Sequence, residues 1–405
     1  MKFKIFGIGA AGNKCAINIV EKGFADIKDI VLINSTIRDI PLNYRDHVIR
    51  LSDDVQGCGQ ERKLAQDICL KAIKDQRLNL DSIVDPEYDK VVIITSTCGG
   101  TGSGASVIIA KYLREVIDIA VEVIGLVGFS DESARSLKNL IEFCQDLNDQ
   151  YAIQLIRNDA YLDAVRGNRT AAEQAANDEV AQRIRVMSGA MLRDSEQNID
   201  DTDIRKLNNT AGYKTVEYIE LYDRIKNQQQ FNEILREMMD DSPIIDVDPE
   251  NEGIGRLGVM INASGSSLAY VDRSYSILRE RLGEPYEVFT HIESISDYPQ
   301  FIAIIASGMK MPYKAIETVF DKYKEMNSAV NKDQDSFFEK IKDFDDEESD
   351  MFDSYKSEYQ KRKIEAARAQ FFNQFGHEVV SRNDDQYNKR AAKNDKGNKS
   401  NNEQF

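Results

Sequence analysis

Two rhythms alternate along the first half of the chain. Short apolar runs at Phe3, Ile5 and Ile8, and over residues 30–33, 91–94, 121–127 and 152–156, read as strands. The unbroken run at 91–94 has the composition of a strand buried on both faces of a parallel sheet. Between these runs apolar residues fall at helical spacing: Cys15, Ile17 and Ile19; Leu64, Ile68 and Ala72; Val107, Ile108, Tyr112, Val116 and Ile119. Over 171–193 a stripe of Ala176, Val180, Ile184, Met187 and Met191 predicts one long helix. At 1.5 Å per residue, its ~23 residues would span roughly 35 Å. The pattern predicts an α/β fold with a Rossmann-like parallel sheet at the N-terminus, followed by a long central helix.

The second half is less regular. Residues 225–255, with Met238, Met239, Asp240 and Asp241, read as a polar connector. Strands are expected at 257–261, 269–271, 286–289 and 301–306 around a helix at 275–282, giving a smaller α/β domain. A helix is expected to run from after Pro312 to about Ser328. Residues 343–353 form an acidic spacer, 355–375 carry a further helical pattern, and the stretch from Arg382 onward is too polar to bury a core.

The loops between the early strands carry the chemistry. After the run at 91–94 the chain enters a glycine-rich turn with Gly99, Gly100, Gly102 and Gly104, and hydroxyls at Thr95, Ser96, Thr97, Thr101 and Ser103. Strand, glycine turn and helix make a phosphate cradle, because bare N–H groups and a helix N-terminus both attract an anion. The GK[ST] of a P-loop is absent. A second loop, Gly7-Ile8-Gly9-Ala10-Ala11-Gly12-Asn13, follows the first strand, and by itself fits a dinucleotide fold. That reading needs an acid at the end of the second strand, where Asn34, Ser35 and Thr36 stand instead, and Asp39 falls too late. Two glycine loops without a lysine point to one large phosphate group gripped from two sides, a triphosphate with Mg²⁺. The turn at Gly57 and Gly59 is either a helix N-terminal turn or a third phosphate contact. Asp131 and Arg135 lie four apart, suited to a ribose hydroxyl and a phosphate, or to a plain surface pair. Asn158, beside Asp159, either reads a base edge or caps a helix.

Beyond the long helix, Asn198, Asp200, Asp201 and Asp203 stand in a polar loop before a helical turn at 204–207. If the nucleotide lies at the N-terminal end of the long helix, these acids lie at the far end of the same molecule. They would meet the phosphates of a neighbour stacked head to tail; the alternative is a capped, solvated turn.

Composition narrows the classes. A net charge of −17 over 405 residues disfavours direct nucleic-acid binding. The five cysteines and three histidines show no metal-ligand spacing, which fits a reducing cytoplasm. No signal peptide or membrane-length apolar run is evident.

Taken in order, these motifs resemble the tubulin/FtsZ superfamily over roughly residues 1–215. The 99–104 loop resembles its signature loop, Gly7 to Asn13 its first nucleotide loop, Asn34 to Asp39 the loop after its second strand, and Gly57-Cys58-Gly59 its third. Asp131 and Arg135 take the places of the ribose-loop residues, with the usual Pro-Phe-x-Phe reduced to Phe129. Asn158 and Asp178 (or its neighbour Asn177) match the guanine contacts, and Gln174 stands where an aromatic normally stacks on the base. Asn198, Asp200 and Asp203 match the synergy loop that completes the next subunit's active site, followed by Ala211-Gly212-Tyr213. The segment from Ser307 to Pro312, with its following helix, resembles the plasmid and phage TubZ-type tubulins.

The resemblance implies GTP/GDP and Mg²⁺ held by Gly7, Gly9, Ala10, Ala11, Gly12, Asn13, Asn34, Gly57, Gly59, Thr97, Gly99, Gly100, Thr101, Gly102, Ser103, Asp131, Arg135, Asn158 and Asp178. The metal would be carried by the phosphates. Catalysis would fall to Asp200, Asp203 and Asn198 of a neighbouring subunit. The implied layout is a GTP-binding domain (1–170), central helix (171–195), synergy loop and following helix (196–224), connector (225–255), C-terminal α/β domain (256–311), C-terminal helix (312–342), acidic spacer and helix (343–381) and disordered tail (382–405). The expected function is a GTP-hydrolysing cytoplasmic filament, a head-to-tail homopolymer for plasmid or prophage DNA segregation, with a DNA-binding adaptor recruited by the basic tail. Phage-genome positioning, FtsZ-like cell division, a non-polymerising nucleotide scaffold and a dinucleotide oxidoreductase are the other classes kept open.

Overall fold

The computed structural model describes residues 1–327, apart from 194–197, 222–224, 226, 245–246, 248–252, 264–266 and 296. The spacer, helix and tail expected beyond residue 342 therefore lie outside the described residues. Strands β1 (Phe3–Ile8), β2 (Ile30–Asn34), β3 (Val48–Arg50), β4 (Lys90–Ser96), β5 (Val121–Val127) and β6 (Ala152–Arg157) form the N-terminal half. Helices α1 (Gly9–Glu21), α2 (Arg62–Lys74), α3 (Leu80–Ile83), α4 (Gly100–Tyr112) and α5 (Ala134–Leu147) connect them. Then follow α6 (Arg169–Ser188), α7 (Asp201–Asn209), β7 (Gly212–Glu220), α8 (Gln228–Asp240), β8 (Gly253–Asn262), α9 (Ser267–Leu282), β9 (Glu284–Glu293), β10 (Phe301–Met309) and α10 (Tyr313–Asn327).

The ten strands among the described residues join one sheet in the order β3-β2-β1-β4-β5-β6-β7-β10-β8-β9. From β3 to β6 every pairing is parallel. A short parallel pairing of β6 with β7 at Ala152–Gly212 and Ile153–Tyr213 carries the sheet onward, and β10 runs antiparallel to both β7 and β8. Strands β1, β4, β5 and β6 are buried almost throughout, with helices on their faces, as continuous apolar runs require. The strand order reverses between β1 and β4. In open α/β sheets that crevice, at the carboxyl ends of the strands, is where ligands bind.

Four expectations are corrected. The central helix is α6, 20 residues long, or roughly 30 Å, shorter than the expected 171–193. It stops at Gly189, whose φ of +72° is left-handed, and Met191 is buried beyond the helix. Residues expected to extend the helix after the acid loop instead form β7, whose buried positions include Lys214, Thr215 and Glu217. The run at 269–271 lies inside α9, since a short apolar run does not distinguish strand from helix. Within the expected connector, α8 buries Phe231, Leu235 and Met238 at helical spacing.

Candidate active site

Both glycine loops open from the carboxyl ends of the two strands at the reversal. Helix α1 begins at Gly9 and α4 at Gly100. Neither has a side-chain cap or an acidic residue in its first turn, so no carboxylate of their own occupies the orphan N–H groups. The loops touch: a Cβ added to Gly9 would stand 3.0 Å from the backbone nitrogen of Gly102, and Gly9 has φ +74°. One added to Gly12 would strike the Ile94 carbonyl at 2.1 Å. The first turns of two helices thus lie against each other, an arrangement that suits phosphate.

The third loop joins them. A Cβ on Gly100 would lie 2.8 Å from the Glu61 nitrogen. Gly57 (φ +107°) and Gly59 (φ +54°) have open space around them, so their backbone conformation, not crowding, requires glycine. The buried Asn139 of α5 clamps this loop to the cradle, donating through Nδ2 to Gln60 O at 3.0 Å and Cys98 O at 3.1 Å. Arg62 donates to Ser103 O at 3.2 Å and pairs with Asp146. Sequence reasoning missed both residues; their signal is three-dimensional, a buried side chain reaching across loops.

Hydroxyls and amides divide into two groups. Thr101 Oγ1 meets Ser35 Oγ at 2.8 Å, tying the cradle to the loop after β2. Asn34 accepts from Ser35 N, while its Nδ2 is buried without a hydrogen-bond partner among the described residues. A buried donor left open at the edge of the cradle fits a polar ligand. Ala10 and Ala11 lie in the first turn of α1 and offer backbone groups. Three expected contacts are redirected. Thr97 is wholly buried and donates to Leu126 O at 3.3 Å. The Ser103 hydroxyl is used within its own turn, on Gly99 O. Asn13 bonds both backbone groups of Ile33, at 3.1 and 3.2 Å, so its side chain fastens α1 to β2. Burial pushes the Cys98 thiol up, away from thiolate chemistry beside the cradle.

At the other side of the crevice stand the expected ribose and base contacts. Asp131 lies in a turn before α5, not on it, so Asp131 and Arg135 do not share a helical face. Asp131 pairs with Arg169, whose guanidinium lies 4.7 Å from the Phe129 ring centroid, and Arg135 approaches Glu61 at 3.6 Å. Asn158 opens the short turn Asn158–Tyr161 after β6. On α6, Asn177 is buried toward α1. Asp178 accepts from Asn18 Nδ2 (3.0 Å) and Gln174 Nε2 (3.1 Å), and pairs with Lys22 (3.1 Å). Gln174, where an aromatic was the expected form, is one of the donors that orient Asp178.

The acids sit at the opposite end of the strands. The N-terminal amino group of Met1 donates to Ser188 O at 2.8 Å, so α6 ends where β1 begins. Helix α7 is tied to the start of β4 by Arg205 with Asp89 and by Lys90 with Asn208. Asp200 caps α7, accepting from Asp203 N at 2.8 Å, and Asp203 approaches Lys206 at 3.6 Å. Asn198 and Asp200 are exposed. The seven residues of β4, roughly 23 Å, separate these carboxylates from the cradle of the same chain. Among the described residues no group of three or more His, Cys, Asp or Glu could hold a metal ion, and no helix is long and apolar enough to cross a membrane.

No protein-family model matches the chain. Comparison with curated proteins finds 27% identity over 203 residues with the tubulin-like protein CetZ2 of Haloferax volcanii, 47% of this chain and 54% of the relative. Cell division protein FtsZ 1 of Thermococcus kodakarensis is 22% identical over 332 residues, covering 80% of this chain and 84% of that one. The chain spans between half and three-fifths of the length of the CetZ relatives it matches. Among solved structures, a GTPγS-bound CetZ2 protofilament from H. volcanii superposes with a TM-score of 0.67 at 19% identity, covering 82% of this chain and 99% of the other. TubZ of Clostridium botulinum phage c-st gives 0.62 at 18% identity, covering 81% and 98%.

Proposed function

We propose, from the premise that this chain is a tubulin/FtsZ superfamily protein, that it is a GTPase whose active site is completed between subunits of a head-to-tail filament. One observation carries the reading. The anion-binding loops and the acids, Asp200 exposed and Asp203 half-buried, lie at opposite ends of the strands of one sheet, so only a second molecule can bring them together. That relatives of the same fold are found as GTPγS-bound protofilaments supports assembly of this chain into a homopolymer.

In this reading the N–H groups at the starts of α1 and α4, with the 57–61 loop, hold the phosphates and stabilise charge developing on their oxygens. Mg²⁺ carried by the phosphates would add neutralising charge there. Asn158 and Asp178 orient the base. Asp200 or Asp203 of the adjoining subunit orients the attacking water or accepts its proton. Light scattering and phosphate release measured across protein concentrations test this. A shared cooperative onset is expected; turnover strictly proportional to protein would overturn it. Asp200→Ala should bind GTP and assemble yet hydrolyse slowly, and wild-type turnover by that variant contradicts the shared site. Thr101→Ala should weaken nucleotide binding, measured with a fluorescent GTP analogue; unchanged affinity removes it from the cradle.

For cargo we favour DNA segregation in the cytoplasm, through a DNA-bound adaptor rather than direct contact, because the chain carries −17 net charge. Truncation at Arg382 should abolish adaptor-dependent DNA capture while leaving assembly intact; unchanged capture would exclude the tail as the adaptor's site.

A further inference from the structure

A cluster of buried charge lies beneath the acid-bearing helix. Lys90, the first residue of β4, and Lys214 of β7 both reach Oε2 of Glu122 on β5, at 2.7 and 3.0 Å, and all three side chains are at most 1% exposed. The other oxygen of Glu122 accepts from Gln154 at 2.5 Å. Sealed from water, each donor must find its acceptor within the protein. Two ammonium groups face one carboxylate, and the acceptors that take the surplus belong to Asn208 in α7. Its backbone carbonyl accepts from Lys90, and its Oδ1 accepts from Lys214 at 2.7 Å. Its Nδ2 donates to Met187 O of α6 at 2.8 Å and to Ile204 O of α7 at 2.9 Å.

Resting on the shared-site reading above, we propose that this cluster, with Asn208 as its hub, positions Asp200 and Asp203 for the neighbouring molecule's nucleotide. Apolar packing of Ile204 and Leu207 holds α7 against the sheet, but apolar burial is non-directional and leaves the helix free to slide and turn. Directed ammonium–amide bonds remove that freedom. Lys90 also begins the strand whose far end opens into Gly99. One strand therefore carries the phosphate cradle at one end and the anchor of the acids at the other. Asn208, Lys90, Lys214 and Glu122 are positioning residues.

Wild type, Asp200→Ala, Lys214→Met and Asn208→Asp are compared side by side. Lys214→Met removes the surplus charge and so keeps a neutral core. Asn208→Asp keeps the acceptor for Lys214 but loses the donations to α6 and α7, and it serves if Lys214→Met does not fold. Both should keep the affinity of a fluorescent GTP analogue, lose about 10- to 100-fold in polymer-dependent kcat, and exchange amide hydrogens faster over 201–209 than over 100–112. A slow Asp200→Ala beside a Lys214→Met and an Asn208→Asp of wild-type kcat overturns the positioning role alone. Wild-type kcat in Asp200→Ala overturns the shared site on which it rests. A kcat loss with unchanged exchange over 201–209 also overturns the positioning role.

Discussion

At the scale of single residues, the cradle depends on atoms that are missing as much as on those present. Gly9 combines a left-handed φ with a neighbouring backbone nitrogen at 3.0 Å from any added Cβ. Gly9→Ala is expected to cost about 1–2 kcal/mol from φ alone and to push the two loops apart. Urea unfolding and nucleotide titration should both register the change, with affinity falling more than stability. Asn139→Ala removes two buried donations and should cost about 1–3 kcal/mol. Nucleotide affinity falls with it, because the 57–61 loop is released from the cradle; unaltered binding would mean the clamp serves stability alone. The glycine positions were legible in the sequence, since few other residues serve at such turns. The fate of each hydroxyl and amide was not. Asn13, Thr97 and Ser103 look like ligand contacts in a motif, yet their side chains satisfy buried backbone groups, a choice made by whichever partner lies nearest in space.

At the scale of elements, the strands of the parallel half stand close to where apolar runs place them, because a strand buried on both faces has little room for polar residues. Strand β7 was hidden for the converse reason: Lys214, Thr215 and Glu217 are buried polar residues, Lys214 meeting Glu122 of β5 and Asn208 of α7, Glu217 meeting Arg183 of α6 and Ser242, and Thr215 donating to Glu217 of its own strand. The length of α6 was overestimated because Met191 continues the apolar stripe after the helix has stopped. Gly189 makes that stop, and the nearest atoms a Cβ there would meet belong to Ile204, at an ordinary contact distance of 3.6 Å. Gly189→Ala should therefore cost about 1 kcal/mol, the penalty of the left-handed conformation without a clash. Denaturant unfolding measures it; a much larger loss would show that the turn itself positions the residues that follow.

At the scale of the whole molecule, the buried cluster ties stability to pH. Burial lowers the Lys214 pKa from its ordinary 10.5 to about 7, with Glu122 opposing and Lys90 and Arg183 adding to the fall. Lys90 is lowered in the same direction by burial, while Glu122, which burial alone would raise, is held below its ordinary value by the two lysines. Between about pH 7 and the ordinary lysine range, the folded chain holds fewer protons than the unfolded one, so stability rises with pH. The penalty is fully present below about 7. The part of the slope that Lys214 contributes should not exceed about 1.4 kcal/mol per pH unit. Unfolding at pH 6, 7.5 and 9 should show the rise in wild type and a flatter profile in Lys214→Met; equal slopes would place the titration elsewhere.

The sequence by itself determined the α/β class, the two glycine loops, the absence of a P-loop lysine and the presence of acids beyond a long helix. Each is a local property: hydrophobic period, or a backbone conformation that selects glycine. Only the tertiary structure decided that the loops follow adjacent strands at the reversal of strand order, that Asn139 joins the 57–61 loop to the cradle, and that the acids lie at the opposite end of the strands. It alone revealed the Lys90–Glu122–Lys214 cluster, assembled from three strands whose buried charges are costly singly and tolerable only once folding brings them into contact.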